Sequence, residues 1–375
     1  MGPLADASLP GSTDQPAVNG RPDRVVLVGG DCVLGVALLE RWEALGIAAT
    51  VVGRVLDGEP GELAGHPVID IDRRGAVAAA LAGADELVVL AASGVRDVDG
   101  SGIGLVDEGL VASVLLAAVA DPPAHVTVMS TALAYSPPRV READARSRES
   151  DPFGGPRALR RLPDAVAGRV RLERRALEWG ERNGVPVAAL RPVLCASLFS
   201  RGWYDRSAWR VRRLHPSPWP HVQYVHVRDV VAAAEVVRET RTSGAFNVAP
   251  DDVLDGPTTA ELADRRFVVG VSGRVLVAVE WLRWLTWWSP TPPSAVKLVG
   301  RDLAVDSTGL REAGWGPTHS SAEAFLVAHA PAWWPSLSAR RRQDLVLGGA
   351  ASLLLGLLGG VAWALVRAWR RAARA

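Results

Sequence analysis

The chain has 375 residues, and its 42 Lys and Arg against 41 Asp and Glu exclude the basic excess of a general nucleic-acid-binding protein. Apolar residues make up 48% and charged residues 22%, a composition that excludes bulk disorder. The only cysteines, Cys32 and Cys195, exclude a disulfide framework or Cys-rich zinc site, and the seven dispersed histidines predict no metal centre.

The first 20 residues are rich in Pro, Gly, Ser and Asp and contain no apolar run. Such a segment cannot bury enough apolar surface to offset the entropy of ordering, so residues 1–20 are predicted to be a disordered tail. The tail also lacks the basic start and apolar stretch of a signal peptide, so we expect the main body to stay in the cytoplasm.

An alternation of strands and helices begins at residue 24. The run RVVLVGG predicts a strand, residues 33–45 show helical spacing of apolar side chains, and Gly46 is a predicted stop. Further strands are predicted at 47–53, 66–72, 86–92, 125–131 and 185–192, with helices at 76–84 and 166–183. Apolar strands that alternate with helices predict an α/β fold with a doubly wound parallel sheet over residues 21–198.

Beyond residue 198 the alternation weakens, and residues 199–335 are predicted to form a smaller α+β region that resembles a substrate domain. A helix is predicted at 274–288, with Trp281, Trp284 and Trp288 on one face. This face is either part of the core of the smaller region or a surface that touches membrane headgroups, because tryptophan concentrates where apolar and polar surroundings meet.

Residues 345–366 form a stretch of 22 residues without a charge. At about 1.5 Å per residue a helix of this length spans the hydrocarbon core of a bilayer, so a transmembrane helix is predicted. Arginines precede it at 340–342, and the basic tail 367–375 follows. The flanking charges give little asymmetry, and we expect a single-pass C-terminal anchor in the cell membrane with a cytoplasmic body.

Small residues recur every four positions along one face of this segment, at Gly348, Ser352, Gly356, Gly360 and Ala364. This spacing is typical of two closely packed membrane helices, and it also arises simply because Gly and Ala are common in such helices. Pairing of two copies and a solitary anchor both remain open.

A glycine-rich turn follows the first predicted strand and reads Gly29-Gly30-Asp31-Cys32-Val33-Leu34-Gly35. A strand, a glycine-rich turn and a helix N-terminus together form a cradle for a pyrophosphate, through free amide groups and the helix dipole. Residues 21–198 are therefore predicted to be a Rossmann dinucleotide-binding domain.

Eight stretches in order resemble the extended short-chain dehydrogenase/reductase family, also called the NAD-dependent epimerase/dehydratase family. They are VLVGGDCVLG at 26–35, VIDID at 68–72, ADELVVLAAS at 84–93, VTVMSTALAYS at 126–136, ALRPV at 189–193, QYVHVRDV at 223–230, GAFNVAP at 244–250 and STGLREAGWGPTHSSAEA at 307–324. The resemblance covers roughly residues 24–330 and implies the Rossmann fold of that family. It also implies a dimer interface on helix 166–183, although a solvated face with ion pairs accounts for its Arg and Glu residues equally well.

The resemblance implies a set of cofactor-binding residues. The family's GxxGxxG turn places its three glycines at Gly29, Cys32 and Gly35, with Gly30 beside them, so the middle glycine is replaced by Cys32. If the thiol crowds the pyrophosphate, Cys32→Gly tightens binding; otherwise Cys32 is a small buried apolar residue. Further positions match the adenine contact and the wall beside the ribose, namely Asp70, Ala91 and Ala92.

The end of the second predicted strand reads Val52-Gly53-Arg54 and lacks an acidic residue. An acid there accepts hydrogen bonds from the ribose hydroxyls of NAD, whereas an arginine suits the 2′-phosphate of NADP. The sequence therefore favours NADP over NAD, with Arg54 as the contact.

The family's catalytic residues are a Ser or Thr and a Tyr-x-x-x-Lys on the following helix, in which the lysine lowers the pKa of the tyrosine. Thr131 matches the first position. Alignment of Glu173 with the family's helix acid places Ala165 at the tyrosine and Arg169 at the lysine, and the chain's sole lysine is Lys297. Arg169 can supply charge but does not donate a proton at neutral pH. Tyr135 and Tyr204 are the two candidate substitutes for the missing tyrosine.

Two functions follow from these observations. The first is a membrane-anchored dinucleotide-binding protein without the proton-transfer pair, acting as a sensor, scaffold or accessory subunit. The second is an NADP-dependent reductase or epimerase of unusual mechanism, acting on a sugar-nucleotide or lipid-linked substrate at the membrane. The missing Tyr and Lys favour the first, and the presence of Thr131, Arg54 and Asp70 keeps the second open.

Overall fold

The fold is described from a computed structural model, in which the described residues are 23–55, 62–91, 106–135, 146–160, 162–196, 214–217, 219–262, 269–288, 297–298 and 301–328. Five predicted features lie outside these ranges: the tail 1–20, Ala92, Tyr204, the apolar segment 345–366 and the basic tail 367–375. None of the helices in the described ranges is both long and apolar enough to cross a bilayer.

Twelve strands are present in the described residues. They are β1 (Arg24–Val28), β2 (Ala48–Gly53), β3 (Glu62–Leu63), β4 (His66–Asp70), β5 (Glu86–Val89), β6 (His125–Met129), β7 (Val187–Pro192), β8 (Leu194–Ala196), β9 (Leu214–Pro216), β10 (Tyr224–His226), β11 (Gly244–Val248) and β12 (Val269–Val271). The strands predicted from apolar runs in the first half of the chain are all found, with bounds that differ from the expected ones by a few residues at most.

Eight of the strands form one sheet in the order β11-β7-β6-β5-β1-β2-β4-β3. All pairs in it are parallel except the short edge hairpin between β3 and β4. The chain moves outward from β1 to β2 and β4, and then returns to β5 on the other side of β1. The order therefore reverses between β1 and β5, which confirms the prediction of a doubly wound parallel sheet.

Ten α-helices accompany the sheet in the described residues. They are α1 (Val33–Leu45), α2 (Arg74–Leu81), α3 (Glu108–Ala117), α4 (Pro156–Leu159), α5 (Asp164–Asn183), α6 (Val227–Thr240), α7 (Gly256–Leu262), α8 (Gly273–Leu285), α9 (Thr308–Glu312) and α10 (Ser321–Ala328). The predicted stop at Gly46 is confirmed, since Gly46 caps α1 in the left-handed conformation with φ of 70°. Gly184 caps α5 in the same way, with φ of 67°.

The two faces of the sheet are covered by different helices because side chains alternate along each strand. On one face Val25 and Leu27 of β1 pack with apolar residues of α1 and α6. On the other, Val26 and Val28 pack with α2, α3 and α5. Burial on both faces explains why the strands are continuous apolar runs.

A smaller apolar cluster lies beside the carboxyl edge of the large sheet. It contains Leu194 of β8, Tyr224 of β10 and Phe325 of α10, whose ring stands edge-on to Tyr224 with centroids 5.2 Å apart. Two parallel two-stranded sheets, β8 with β10 and β9 with β12, belong to this region. Short strands and helices therefore both occur in the later part of the chain.

The large sheet does not end at residue 198. Its last strand, β11, comes from the later part of the chain and pairs with β7 in register from Gly244↔Ala188 to Val248↔Pro192. Helix α6 also comes from that part and covers α1, where Glu235 accepts a hydrogen bond of 2.6 Å from the indole of Trp42. The large sheet and its cover thus include a segment, α6 and β11, that lies between stretches of the smaller region along the chain.

Candidate functional site

The glycine-rich turn joins β1 to α1 at the carboxyl edge of the sheet, at the point where the strand order reverses. Gly29 has a φ of 62°, a left-handed conformation that favours glycine. A Cβ on Gly35 would overlap the carbonyl of Gly30, so the first turn of α1 lies directly against the turn before it. This close approach is the geometry that a pyrophosphate-binding turn requires.

Cys32 occupies the N-cap of α1 with an extended backbone, φ −155°. Its side chain makes no capping hydrogen bond to the helix, and its amide donates to the carbonyl of Gly30 at 2.7 Å. Only 7% of the residue is exposed, and it belongs to the apolar cluster between the sheet, α1 and α6. The packing is that of a small buried apolar residue, which is one of the two alternatives considered from the sequence.

Arg54 follows β2 and is held by two carboxylates. Its Nε donates to Oδ2 of Asp107 at 3.0 Å, and Asp72 lies 3.7 Å from its Nη1. The hydrogen bond from Arg54 to Asp107 raises the pKa of the guanidinium, with the charge of Asp107 as a further cause. The charge that the sequence assigned to a 2′-phosphate is therefore already balanced within the protein, and this geometry does not favour NADP.

Asp107 forms hydrogen bonds with residues at the ends of β2, β5 and α3. It caps α3 by accepting a hydrogen bond from the amide of Leu110 at 3.0 Å, and its own amide donates to the carbonyl of Ala91 at 2.8 Å. Burial alone would raise its pKa, but the hydrogen bonds from Leu110 and Arg54 outweigh burial and lower it. Asp107 is thus a carboxylate at neutral pH.

Asp70 and Ala91, the two other described positions matched to cofactor contacts, lie at the carboxyl ends of β4 and β5. Asp70 accepts a hydrogen bond from the amide of Asp72 at 3.2 Å. Ala91 is fully buried with a φ of 53°, a conformation that costs a residue with a Cβ about 1–2 kcal/mol. Such strain concentrates at ligand sites, and here it lies beside the reversal point of the sheet.

Arg169 reaches the same edge from α5. Its side chain is buried, with 3% of the residue exposed, and its Nη1 donates to the carbonyls of Leu90 and Met129, the latter at 3.1 Å. These two carbonyls lie at the carboxyl ends of β5 and β6. The guanidinium is therefore fixed at the carboxyl edge of neighbouring strands, where the resemblance implies the family's lysine.

Ser130 and Thr131 follow β6 directly. The hydroxyl of Thr131 accepts a hydrogen bond from the amide of Leu133 at 3.3 Å and caps a short 3₁₀ helix, Ala132–Ala134. The hydroxyl of Ser130 is completely buried and has no hydrogen-bond partner among the described residues. An unpaired buried hydroxyl costs about 1–3 kcal/mol, so Ser130 is a candidate position for contact with a ligand.

Tyr135 is held in a buried polar network instead of facing an open cleft. Its hydroxyl donates to Oδ1 of Asn247 at 2.8 Å and accepts from Nη1 of Arg191 at 2.7 Å. Burial raises the pKa of Tyr135 to about 12, despite the opposing effect of Arg191. A phenol with this pKa does not act as a proton acceptor near neutral pH, so the geometry is that of a structural tyrosine.

Arg191 is the centre of this network and was not singled out from the sequence. It forms a buried ion pair with Glu173 of α5, Nη2 to Oε1 at 2.5 Å, and its guanidinium lies 3.7 Å from the ring centroid of Phe153. The backbone amide of Asn247 in β11 donates to the carboxylate of Glu149 at 3.0 Å. The network joins α5, β7 and β11 to the segment that carries Glu149 and Phe153.

Nothing in the local pattern around these residues could have revealed the network. Glu173 and Arg191 are 18 positions apart, and Tyr135 and Asn247 are 112 apart. The only available signal was that each lies within a stretch matched to the family, or, for Glu173, at its helix acid.

Comparison with solved structures identifies one class of fold. It is the fold of a UDP-glucose 4-epimerase and of other enzymes that were solved in complex with NAD. No family model and no curated protein matches the sequence.

Three solved structures illustrate the similarity. MoeE5 in complex with UDP-glucuronic acid and NAD has a TM-score of 0.58 at 16% identity, over 82% of this chain and 98% of its own. The UDP-glucose 4-epimerase of Thermus thermophilus in complex with NAD has a TM-score of 0.55 at 16% identity, over 82% and 98%. The enzyme WbmG of Bordetella bronchiseptica in complex with NAD has a TM-score of 0.57 at 17% identity, over 86% and 96%. At these identities the similarity establishes the fold.

Proposed function

We propose that this chain binds a nicotinamide dinucleotide at the carboxyl edge of the large sheet. The observation that carries the proposal is the turn from Gly29 to Gly35, which packs too closely for a Cβ and lies where the strand order reverses. The unpaired hydroxyl of Ser130 at the same edge supports it, because a buried polar group without a partner fits a site completed by a ligand. The solved structures with the same fold, several of them in complex with NAD, add support.

The residues present fit such a group. The amides of the glycine-rich turn and of the first turn of α1 would hold the pyrophosphate, with Asp70 and Ala91 on the adenosine side. Arg169, Ser130 and Thr131 would line the other end. When bound, the nicotinamide supplies hydride transfer. At the nicotinamide end the protein itself supplies the fixed positive charge of Arg169 and the hydroxyls of Ser130 and Thr131.

Of the two dinucleotides, NAD is the one we propose. A 2′-phosphate beside Arg54 would meet a guanidinium that is already paired with Asp107 and lies near Asp72, so two carboxylates offset one positive charge. Negative charge at this place suits ribose hydroxyls better than a phosphate. The proposal replaces the preference for NADP inferred from Arg54 alone.

The role we propose is non-catalytic: a dinucleotide-dependent sensor, scaffold or accessory subunit. The position aligned with the family's tyrosine is Ala165, which has no hydroxyl. Arg169 does not give up a proton at neutral pH, and Tyr135 has a pKa of about 12. The described residues therefore hold a dinucleotide site without a proton donor tuned to work beside it.

The membrane anchor completes the proposed function. Residues 345–366 are 22 uncharged residues between arginines, which is enough for one crossing. We propose that this segment tethers the dinucleotide-binding body to the membrane.

A second candidate function is an enzyme of unusual mechanism that acts on a sugar-nucleotide. It is favoured by Arg301, whose pKa is lowered by burial and whose guanidinium has no hydrogen-bond or ion-pair partner among the described residues. A half-buried guanidinium without a counter-charge suits an anionic ligand. Two of the similar structures contain UDP-glucuronic acid and UDP-glucose. Binding of UDP-glucose that weakens in Arg301→Gln would support this candidate.

Calorimetric titration of the full chain in mild detergent with NAD, NADH, NADP and NADPH tests the proposal. We expect micromolar binding with NAD or NADH preferred. Arg54→Gln serves as the matched variant: if the arginine is neutralised by its carboxylates, the ratio of NAD to NADP affinity changes less than about threefold, or about 0.7 kcal/mol. A folded chain that binds none of the four dinucleotides would refute the proposal. A large loss of NADP affinity in Arg54→Gln would show that Arg54 binds the 2′-phosphate and would support NADP as the cofactor.

A further inference from the structure

Helix α8 buries one charged residue and exposes most of its large apolar side chains. Its two buried positions are Leu276 and Glu280, and Glu280 is 1% exposed. The carboxylate of Glu280 accepts a hydrogen bond from Nη1 of Arg283 at 2.7 Å. A surface helix of a soluble protein buries its apolar stripe and exposes its charges. Here the body of the protein covers a glutamate.

The outer face of α8 is apolar. We call this face, together with the two tryptophans just after the end of the helix, the Trp face; it consists of the exposed residues Val275, Trp281, Leu282, Trp284, Leu285, Trp287 and Trp288. Trp287 is 94% exposed and Trp288 is 79% exposed, which is far beyond a scatter of single apolar residues on a surface. The exposed tryptophans exclude the alternative in which this helix presents its indoles to the core.

The end of the helix brings the last two indoles outward at a cost. The amide of Trp288 donates to the carbonyl of Arg283 at 2.8 Å, and Trp287 has a φ of 61°. This is the left-handed C-terminal turn at which glycine is preferred, and a residue with a Cβ loses about 1–2 kcal/mol there. A strained and exposed tryptophan is unfavourable in water, so an apolar partner at this position would stabilise the protein.

The size and charge of the Trp face fit the surface of a bilayer. With 13 residues α8 is about 20 Å long, so it is too short to cross about 30 Å of hydrocarbon and suits a position along the interface. Between residues 272 and 288 the only acidic side chain is the buried Glu280, while Arg274 is exposed. A face of indoles and leucines with positive charge and no exposed carboxylate is typical of contact with anionic headgroups.

The chain also carries the means to hold this face near a membrane. The described residues end at Ala328, only 17 positions before the uncharged segment that starts at Leu345. An extended linker of this length spans at most about 60 Å, which keeps the body close to the bilayer that the segment would enter. Contact at the Trp face then becomes an intramolecular event with a high effective concentration.

We propose that the Trp face docks on the lipid headgroup region of the membrane in which residues 345–366 are anchored. The inference rests on the membrane anchor in the proposed function. A second contact point fixes the orientation of the body. The dinucleotide site then keeps a constant orientation relative to the bilayer and does not rotate freely on the linker.

Site-directed fluorescence on the full chain in vesicles of phosphatidylcholine and phosphatidylglycerol tests the proposal. In a background of Cys32→Ala and Cys195→Ala, Trp287→Cys carries an environment-sensitive fluorophore. The matched control is Leu116→Cys on α3, another exposed apolar position, with 76% of the residue exposed. We expect lipids with a nitroxide near the headgroup to quench the label at 287 and not the label at 116.

Two further measurements separate the outcomes. Alkaline extraction reports insertion of the 345–366 segment independently of the label. Resistance to extraction without quenching of the label at 287 would refute docking and support the anchor. Extraction of the chain would refute both docking and the anchor. A label at 287 that is shielded only as the concentration of chain in detergent rises assigns the face to a second copy and also overturns the proposal. If Trp287→Cys does not fold, Trp288→Cys takes its place.

Discussion

Tyr135→Phe separates a structural tyrosine from a catalytic one. The change removes the hydroxyl that accepts a charged hydrogen bond from Arg191 and donates one to Asn247, at 2.7 and 2.8 Å. A bond to a charged group contributes about 1.5–3 kcal/mol and a neutral bond about 0.5–1.5 kcal/mol. The expected loss in the free energy of unfolding is therefore about 2–4 kcal/mol.

The assay is urea unfolding of the full chain in mild detergent, followed by circular dichroism, with calorimetric NAD binding measured on the same samples. Affinity for NAD is expected to change less than twofold, because the hydroxyl is already committed to two protein groups. Glu173→Gln provides a matched perturbation of the same network, since it removes the negative partner of Arg191. The double variant should lose less stability than the two single losses added together, because both act through Arg191.

Two results would refute this reasoning. One is a Tyr135→Phe chain of unchanged stability that loses NAD affinity tenfold, which is about 1.4 kcal/mol of binding free energy. The other is strict additivity with Glu173→Gln, which would mean that Arg191 does not link the two groups.

Two further predictions concern Cys32 and His125. Because Cys32 packs in the apolar cluster, Cys32→Gly should lower the free energy of unfolding by about 1 kcal/mol. Its affinity for NAD, measured by calorimetry, should stay within twofold of the unchanged chain. Tighter binding would show instead that the thiol crowds the pyrophosphate. Burial opposes protonation of His125, but its hydrogen bond and ion pair with Glu86 at 2.7 Å prevail and raise its pKa above 6.5. This stabilisation is complete below about pH 6.5 and is lost as the pH rises through the raised pKa of His125. Urea unfolding should therefore show a fall in the free energy of unfolding over that pH range, and His125→Gln should lack this fall. An equal dependence of unfolding free energy on pH in the two chains would contradict the pairing.

The sheet was predictable from the sequence because its signals are local. Each buried strand is a short apolar run, and Gly46 and Gly184 end helices through their own backbone conformation. The same holds for the turn from Gly29 to Gly35, because Gly29 adopts a left-handed conformation and a Cβ on Gly35 would overlap Gly30.

The electrostatics of the site was not predictable, because it depends on partners far away in the chain. Arg54 is a plausible phosphate ligand until Asp107, 53 positions later, is found to hold it. Tyr135 is a plausible acid or base until Arg191 and Asn247 are found on its hydroxyl. Periodicity gives the residues that share a face, and it gives no information on which charged groups neutralise one another across the fold.

The Trp face was predictable from the sequence only in part. The spacing of Trp281 and Trp284 correctly placed them together on one face of a helix, but the helix ends at Leu285, so Trp288, predicted on the same face, lies after it. Whether that face is covered depends on how α8 packs on the rest of the chain, and here Glu280 is buried while the indoles are exposed.

The way β11 completes the sheet has a consequence for how the protein is made. Synthesis passes the glycine-rich turn early, but α1, including Trp42, lacks the part of its cover that α6 provides until Glu235 has emerged 193 residues later. Until Val248 is made, β7 remains an open edge that can pair with another chain. A nascent chain cut or stalled near residue 198 therefore exposes both, and the two halves of the gene product depend on each other for solubility.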